Sequence, residues 1–306
     1  MKAVIPALAL LLGLLPAAAQ TPSATPDEWK PVEAALHRSG SLQPGDVFKF
    51  GFPRSDLKVS VGGVPVVTGV ALGAWAAFKK MGDHTVVMGD LVLTESEVTP
   101  VMKKLQEGGF QITALHNHLL GESPRVLYMH YLGSGDAAKL AETLAAALKE
   151  TGTPAGGYDR TVHVAHLDAH QAAASAPALD VEKIEATLGR KGSGGPALLQ
   201  FGIPRAEKIE EDGMEVPPAM GVATGINFAP TGANTAQVSG DFVLLASEVN
   251  PVIRTLHEHG IAVTAVHSHM LDEQPRLFFL HFWANDDAVK LARGLRAALE
   301  LTSSKK

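Results

Sequence analysis

Hydrophobic and polar residues follow two different periods along the chain, and each period predicts one kind of element. The segment TVVMGDLVL, which contains Gly89 and Asp90, is a predicted strand. In the next segment, SEVTPVMKKLQEGG, the residues Val98, Val101 and Leu105 fall on one face of a predicted helix that two glycines end. The segments FQITALHNH and RVLYMHYL predict two strands around a turn, and GDAAKLAETLAAALKE predicts a second helix.

This succession of elements occurs twice. The segment that begins at Gly89 recurs at Gly240, 151 residues later and without a gap, with about half of its positions identical. The copies span residues 27–160 and 180–303, and the Ala-, Ser- and Pro-rich residues 161–179 form a predicted linker. We predict an α+β fold made by tandem duplication of one domain, in which each copy has an antiparallel or mixed sheet with helices packed on one face.

The N-terminus has the pattern of a secretory signal peptide. Lys2 precedes an apolar run from Val4 to Leu15, and three alanines follow for cleavage, so residues 1–19 are predicted to be removed. The apolar run is shorter than the ~20 residues that usually span a membrane, and no other segment resembles a transmembrane helix. We therefore expect a periplasmic or secreted protein without a stable membrane span.

The composition narrows the function classes. The chain of 306 residues has a net charge of −6 and no basic stripe, so we do not expect it to bind nucleic acid. It contains no cysteine, which excludes disulfides, thiolate metal ligands, a cysteine nucleophile and a lipid anchor on an N-terminal cysteine.

Three histidines and a glutamate recur in both copies with the same spacing. They are His116, His118, Glu122 and His130 in the first copy, and His267, His269, Glu273 and His281 in the second. Because side chains alternate along a strand, the first two histidines are expected to continue the apolar, core-facing stripe of Phe110, Ile112 and Ala114. The third can share their face from the returning strand. Three imidazoles and one carboxylate suit Zn²⁺, Fe²⁺ or Mn²⁺, so the sequence predicts one metal site per copy.

Two other interpretations of this pattern are open. The histidines could line a polar or catalytic pocket that holds no metal, or they could be core histidines retained by the duplication alone. A cupin site is disfavoured, because cupins are all-β barrels with a distant second motif, whereas strong predicted helices flank the pattern here.

Arginines recur beside the histidine pattern. Arg125 and Arg276 follow the proline of each turn, and Arg54 and Arg205 also follow a proline in each copy. A guanidinium near a metal would suit a phosphate or carboxylate group of a ligand. The same arginines could instead pair with the glutamate of the turn or cap a loop.

Several acidic residues are further candidates. Asp90 and Asp241 lie inside a predicted strand, where Asp is disfavoured. A hydrogen bond to a metal-binding histidine would explain them, and so would a β-bulge at the preceding glycine. Glu97 matches a helix capping box with a preceding threonine, whereas the second copy lacks that Ser or Thr, which leaves Glu248 as a candidate.

The remaining histidines are weaker candidates. His163, His166 and His170 have no counterpart in the second copy and could form a further metal patch or a solvated connecting segment. His257 and His259 lie at the end of a predicted helix, where positive charge is favoured, and are interpreted as surface residues.

The pattern that runs from GDLVL through SEV, HNHLL and PR to HY, with its second copy, resembles the LppY/LpqO family of exported proteins, named after mycobacterial lipoproteins. The resemblance covers essentially the whole mature chain, because both copies carry the motif. It implies an extracytoplasmic location and a tandem domain, and no settled activity. This chain lacks the lipidated cysteine of the lipoprotein members, so it is expected to be soluble in the periplasm or secreted.

Three functions fit these patterns. The first is a periplasmic metal-binding protein that could act as a metal-dependent hydrolase, with Glu122 or Glu273 as base. Arg125 or Arg276 would then orient a small or envelope-derived anionic substrate. The second is a non-enzymatic module that binds an envelope ligand or handles a metal. The third is metal-free acid–base chemistry by paired histidines, as in two-histidine phosphoesterases, which requires both copies to face one cleft.

Overall fold

The computed structural model describes residues 25–154 and 178–305. The predicted signal peptide, residues 161–177 of the predicted linker, and the three histidines of that segment lie outside the described residues. None of the helices in the described ranges is both long and apolar enough to cross a membrane.

The first repeat contains nine strands and four helices in the described ranges. The strands are β1 (Ser41–Gln43), β2 (Val47–Pro53), β3 (Ser60–Val61), β4 (Val64–Pro65), β5 (Gly73–Met81), β6 (His84–Thr94), β7 (Gln111–His116), β8 (Glu122–Ser123) and β9 (Val126–Gly135). The helices are α1 (Lys30–Leu36), α2 (Thr68–Ala71), α3 (Glu95–Glu107) and α4 (Ala137–Leu148).

The second repeat has the same order of elements with two differences. A 3₁₀ turn (Pro218–Met220) stands in the place of α2, and an isolated bridge between Glu210 and Gln274 stands in the place of β8. Its strands are β10 (Ser193–Gly195), β11 (Leu198–Pro204), β12 (Glu210–Glu211), β13 (Met214–Glu215), β14 (Ala223–Pro230), β15 (Thr235–Leu244), β16 (Ala262–His267) and β17 (Phe278–Asp287). Its helices are α5 (Val181–Leu188), α6 (Ala246–Glu258) and α7 (Ala288–Leu299).

Each repeat forms one six-stranded antiparallel sheet, with the order β1-β2-β5-β6-β9-β7 in the first and β10-β11-β14-β15-β17-β16 in the second. The predicted α+β fold in two copies is therefore confirmed. Helices α1, α3 and α4 cover one face of the first sheet, and apolar residues such as Val101, Leu105 and Leu144 pack there against the strands. The second sheet is covered in the same way by α5, α6 and α7.

The face of each sheet that the helices leave open is covered by the other repeat. Val47, Ala77 and Met88 of the first sheet belong to the same buried cluster as Met220 and Phe279 of the second repeat. Burial of this apolar surface holds the two repeats together. Consequently, polar residues on the inner faces of the sheets lie between the repeats rather than on the surface.

Hydrogen bonds between the two repeats fix the orientation of one sheet relative to the other. The segment around α2 lies over the second sheet, where the side-chain amide of Gln237 accepts from the Val67 backbone N–H and donates to the Pro65 carbonyl, both at 3.0 Å. In the opposite direction, Lys49 of the first sheet donates to the Ala219 carbonyl of the second repeat at 3.0 Å. Each repeat therefore extends one segment, here called its arm, across the sheet of the other. The arm of the first repeat is the segment around α2, and the arm of the second is the segment around the Pro218–Met220 turn.

Candidate metal centre

Three neighbouring strands carry the repeated polar residues of each repeat. Asp90 lies on β6 directly opposite His130 of β9, and the pairing of these strands is regular, without a bulge at the preceding glycine. His130 in turn lies opposite Ala114 of β7. The second repeat has the same arrangement, with Asp241 opposite His281. The sheet therefore places each aspartate beside a histidine on one face.

A β-bulge changes the face that the first two histidines occupy. In β7 the register shifts between Ile112, which lies opposite Tyr131, and Ala114, which lies opposite His130. Because Tyr131 and His130 point to opposite faces, the bulge turns His116 away from the face of Ile112. The expectation that the histidines continue the apolar stripe is therefore wrong: the stripe packs against the helices, and the histidines face the other sheet. The same shift occurs in β16.

The histidines of the two repeats meet between the sheets. Together they form the histidine cluster, which consists of His116, His118, His130, His267, His269 and His281. The ring centroids of His116 and His267 are 3.5 Å apart. Those of His118 and His281 are 3.7 Å apart, as are those of His130 and His269. Each of these pairs joins one repeat to the other, so the two predicted sites are brought together in one composite site.

The ring nitrogens of the cluster have unequal surroundings. Nδ1 of His281 lies 3.0 Å from the Gly240 carbonyl, and Nδ1 of His267 lies 3.1 Å from the Ser268 carbonyl. A carbonyl only accepts hydrogen bonds, so Nδ1 carries the proton and Nε2 of the neutral ring has a free lone pair. The Nε2 atoms of all six histidines are buried and have no hydrogen-bond partner among the described residues.

Asp90 and Asp241 complete the composite site. The Asp90 Oδ2 atom lies 3.6 Å from His118 Nε2 and 3.8 Å from His130 Nε2. The Asp241 Oδ2 atom lies 3.3 Å from His269 Nε2. In both aspartates the Oδ1 atom is buried without a hydrogen-bond partner among the described residues. The site thus contains buried carboxylate oxygens as well as imidazole nitrogens.

Burial sets the protonation of these groups. It lowers the pKa of every histidine in the cluster, to about 4 for His267 and His281 and to about 3 for His269. Burial raises the pKa of Asp241, and it raises the pKa of Asp90 well above the usual value, with the charge of Asp241 as a second cause. The histidines are therefore neutral near pH 7, which is the state that binds a metal.

The donor atoms converge closely enough to hold a metal ion. One set consists of Asp241, His267, His269 and His281, and its ligand atoms lie within 4.8 Å of one another. Two further sets meet the same limit and take residues from both repeats: His116, His118 and His281, and His116, His130 and His267. Imidazole nitrogens with a carboxylate oxygen suit Zn²⁺, Fe²⁺ or Mn²⁺. The donor set therefore fits a divalent transition ion.

The glutamates and arginines of the turn lie apart from these ligand sets. Glu122 accepts from the backbone N–H of Val126 at 3.4 Å, and the buried Glu273 accepts from that of Leu277 at 2.9 Å. Neither glutamate belongs to a set of converging donors among the described residues. Both carboxylates instead bind the start of the returning strand. The place expected for them beside the histidines is taken by the two aspartates.

The turn arginines are exposed ion-pairing residues. Arg276 pairs with Glu273 at 3.2 Å, as the structural interpretation of this residue requires. Arg125 approaches Glu95 at 3.8 Å, and its side chain is 62% exposed. Neither residue lines the cavity described below.

Arg54 and Arg205 hold the end of a strand to the start of a helix. Each is about 1% exposed, and its guanidinium donates to a backbone carbonyl of the central strand and to the glutamate at the helix start, Glu97 or Glu248. That glutamate also accepts from the backbone N–H at the helix N-terminus, at 2.7 Å for Glu97 and 2.8 Å for Glu248. The repeated arginines and both glutamates therefore serve the fold, through capping and buried ion pairs.

A cavity of about 480 Å³ lies between the repeats and opens onto the composite site. Four histidines of the cluster and both aspartates are among its lining residues: His118, His130, His269, His281, Asp90 and Asp241. Lys49 and Trp75 line another part of it, and Gln200, Asn227 and Ser239 contribute polar groups from the second sheet. A ligand in this cavity could therefore contact the donor atoms directly.

The sequence matches one family in both halves. The family described as Domain of Unknown Function (DUF1259) matches residues 30–150 and 182–301. The chain belongs to this family. The two matches agree with the tandem repeat that the sequence predicts, and the family description carries no activity.

Other comparisons add little. No curated protein matches the chain significantly. Among solved structures, the chain is similar to the trimeric bacterial microcompartment shell protein PduB, with 10% sequence identity and a TM-score of 0.20. This match covers 84% of the present chain and 87% of the shell protein.

Sequence reasoning did not single out every residue of the site. The repeated His pattern marked the six histidines of the cluster, and the unfavourable position of Asp inside a strand marked Asp90 and Asp241. Lys49 and Gly221 carried no signal, because each acquires its role only where an arm of one repeat crosses the sheet of the other.

Proposed function

We propose that this protein is an exported metal-binding protein, in which the two DUF1259 repeats together bind a divalent transition ion and use it to hydrolyse a small anionic substrate of the cell envelope. The proposal rests on the buried side-chain atoms of the site that have no hydrogen-bond partner among the described residues. Eight of the eleven buried side-chain atoms without a partner among the described residues belong to the histidine cluster and the two aspartates. Each such atom costs about 1–3 kcal/mol if it stays unsatisfied.

The type of donor favours a metal over another ligand. A neutral imidazole whose Nδ1 donates to a carbonyl presents a lone pair and no proton at Nε2, so the Nε2 atoms of such rings cannot form hydrogen bonds with one another. Four histidines of the cluster have this arrangement: His116, His267, His269 and His281. A cation that accepts several lone pairs resolves this conflict. The carbonyl partners at Nδ1 support the same interpretation, because they orient a metal-binding imidazole and increase its basicity.

The cavity favours catalysis. A bound divalent ion would supply a Lewis acid and lower the pKa of a water molecule. Asp90 lines the cavity and belongs to none of the three ligand sets, so it replaces Glu122 and Glu273 in the proposed role of base. Burial raises the pKa of Asp90, which makes its carboxylate a better proton acceptor.

The second candidate function is non-enzymatic handling of metal ions. It is favoured by the surplus of donors, because the three ligand sets overlap at His116, His267 and His281. Overlapping sets would let an ion pass from one group of ligands to the next. Slow exchange of bound metal, together with no turnover of any phosphate or carboxylate ester, would favour this function over hydrolysis.

The location of the protein in the envelope is part of the proposal. The signal-peptide pattern of residues 1–19 and the resemblance to the LppY/LpqO family support it. N-terminal sequencing of the protein from the periplasmic fraction is expected to give a mature chain that begins after residue 19.

Metal analysis tests the proposal directly. The mature protein, purified without a His-tag, is compared by ICP-MS with the His116→Ala/His118→Ala and His267→Ala/His269→Ala variants. His257→Ala serves as the matched control, because His257 is exposed at the end of α6. We expect about one or two equivalents of metal in the wild type and the control. Each double variant should lose metal, because each removes ligands from two of the three sets. The loss should be greater for His267→Ala/His269→Ala, since the other double variant leaves the set of Asp241, His267, His269 and His281 complete.

The alternatives predict different results. Two independent sites would leave half of the metal in each double variant. No metal after incubation with Zn²⁺, Fe²⁺ and Mn²⁺, or an unchanged content in both double variants, would overturn the proposal.

A further inference from the structure

Lys49 is the cationic residue of the cavity. Among the described residues that line it, no other lysine or arginine occurs. Its Nζ atom lies 4.2 Å from the centroid of the Trp75 ring and donates to the Ala219 carbonyl at 3.0 Å. An ammonium group has three N–H donors, so this single hydrogen bond leaves donor capacity for a ligand. Within the described ranges, no carboxylate is recorded within 4.0 Å of this nitrogen.

A positive charge between two protein layers is costly without an anionic partner. Burial accordingly lowers the pKa of Lys49 to about 8, so the amine is still mostly protonated at pH 7. The Trp75 ring and one carbonyl compensate the charge only in part. A ligand anion would provide the missing partner.

The second repeat shows that the fold does not require a lysine here. Lys49 lies opposite Ala77 in the first sheet, and Gln200 lies opposite Asn227 at the equivalent position of the second sheet. The Gln200 amide donates to Asn227 at 2.9 Å and to the Gly69 carbonyl at 3.4 Å. At this position of the second repeat, a neutral amide therefore makes the hydrogen bond to the other repeat. The cavity therefore has one cationic side and one amide side.

The cationic side is close to the composite site. The ring end of Trp75 packs against Gly221, where an added Cβ would lie 2.8 Å from Trp75 Cη2 and 3.9 Å from His269 Nδ1. The Gly221 carbonyl lies 3.3 Å from His269 Nδ1. Lys49, Trp75, Gly221 and His269 thus form one continuous wall of the cavity, and a small ligand could contact both ends of it.

We propose that Lys49 binds the anionic group of a small organic substrate, a carboxylate or a phosphate ester, while another part of that substrate lies against the histidine cluster. Of these two contacts, only the one with the histidine cluster rests on the proposed function. A cavity of about 480 Å³ is within the size range of small-molecule sites. The polar groups Ser41, Gln43, Asn227 and Ser239 suit a substrate with hydroxyl or amide groups.

Anion binding tests this proposal. Isothermal titration calorimetry measures the affinity of inorganic phosphate, acetate and neutral acetamide for the wild type and for the Lys49→Met, Lys49→Arg and Lys103→Met variants. Each protein is measured after chelation and again after loading with Zn²⁺. Lys49→Met keeps the apolar stem and removes the charge, and Lys49→Arg keeps the charge. Lys103→Met is the matched control, because Lys103 is an exposed lysine of α3 that does not line the cavity.

We expect Lys49→Met to weaken the binding of both anions at least about tenfold, since a hydrogen bond to a charged group is lost. Lys49→Arg should bind both anions more tightly than Lys49→Met, because it keeps the charge. Lys103→Met should stay within about threefold of the wild type. Acetamide should not distinguish the variants. Tryptophan fluorescence during urea unfolding shows whether each variant is folded.

The outcomes separate the two proposals. If Lys49→Met binds both anions as well as the folded wild type does, or if no anion binds, the assignment of Lys49 is overturned. If the protein binds no metal but anion binding still depends on Lys49, the assignment stands and the metal-dependent function fails. If metal binds and anion affinity is the same in all variants, only the assignment of Lys49 fails.

Discussion

Replacement of Lys49 by Met should change how the stability of the protein depends on pH. The pKa of Lys49 in the folded protein is about 8, whereas the pKa of a lysine exposed to solvent is 10.5. Because the folded pKa is lowered, the unfolded chain binds more protons between these two values, and the stability of the wild type rises with pH in this range. Below pH 8 the buried charge imposes its full cost. Above pH 10.5 the cost disappears.

The size of the effect follows from the two pKa values. At pH 7 the buried charge destabilises the folded wild type by about 3 kcal/mol, and at pH 9.5 by about 1 kcal/mol. The remaining difference between a neutral lysine and a methionine, such as the loss of the hydrogen bond to Ala219, shifts the stability of Lys49→Met by an amount that does not depend on pH. The stability of the variant relative to the wild type should therefore fall by about 2 kcal/mol from pH 7 to pH 9.5.

Urea unfolding in the presence of a chelator, followed by tryptophan fluorescence, measures this difference at both pH values. Gln200→Met is the control, because its neutral amide should give a difference from the wild type that is independent of pH. A difference for Lys49→Met that changes by less than about 0.5 kcal/mol would show that the amine has a normal pKa and is solvated, and would refute the reasoning.

Three further predictions concern buried contacts within the second repeat and between the repeats, and each is measured by urea unfolding at pH 7. Arg205→Met should cost about 3 kcal/mol or more, because it leaves a buried carboxylate without its partner; a cost below 1 kcal/mol would contradict the structure. Thr264→Val should cost about 1–2 kcal/mol, since the Thr264 hydroxyl donates to a carbonyl of the first repeat at 2.6 Å. Thr113→Val should be neutral or stabilising, because the buried Thr113 hydroxyl has no hydrogen-bond partner among the described residues. Equal effects of the two variants would disprove this difference. Gly240→Ala should destabilise the second sheet by more than 1 kcal/mol, since the new methyl group would meet the backbone of β14, whereas Gly202→Ala, with open space around it, should stay within about 1 kcal/mol of the wild type.

The parts of the fold that depend on local periodicity were predictable from the sequence. Apolar residues such as Val98, Val101 and Leu105 gave the helix face, and the repeat gave the second domain. The antiparallel order of six strands is not encoded in any one segment, because it depends on which strands bury their faces together. The register of β7 was also beyond sequence reasoning. One extra residue at Thr113 reverses the direction of every later side chain, and no glycine marks the bulge.

The same reversal explains why the composite site was not predicted. Strict alternation from Ile112 would place His116 under the helices of its own repeat, as a member of a separate site. The bulge instead points it towards the second sheet, which brings it to 3.5 Å from His267. The repeated pattern identified the six histidines as a group, but the sequence contains no local information about the partner that each one faces.

A shared centre has a consequence for how the duplication is maintained. If each repeat held its own ion, one copy could lose its histidines and the other would still bind metal. In the composite site, His116 belongs to two ligand sets, and each of these also uses a histidine of the second repeat. Loss of His116 would therefore weaken ligand sets that depend on both repeats. Positions outside the ligand sets are free to differ, and they do so at the cavity wall, where Lys49 faces one side and Gln200 the other. The duplicated fold thus combines six histidines that recur in both repeats with a cavity whose two sides differ, so a ligand in this cavity would meet a different charge on each side.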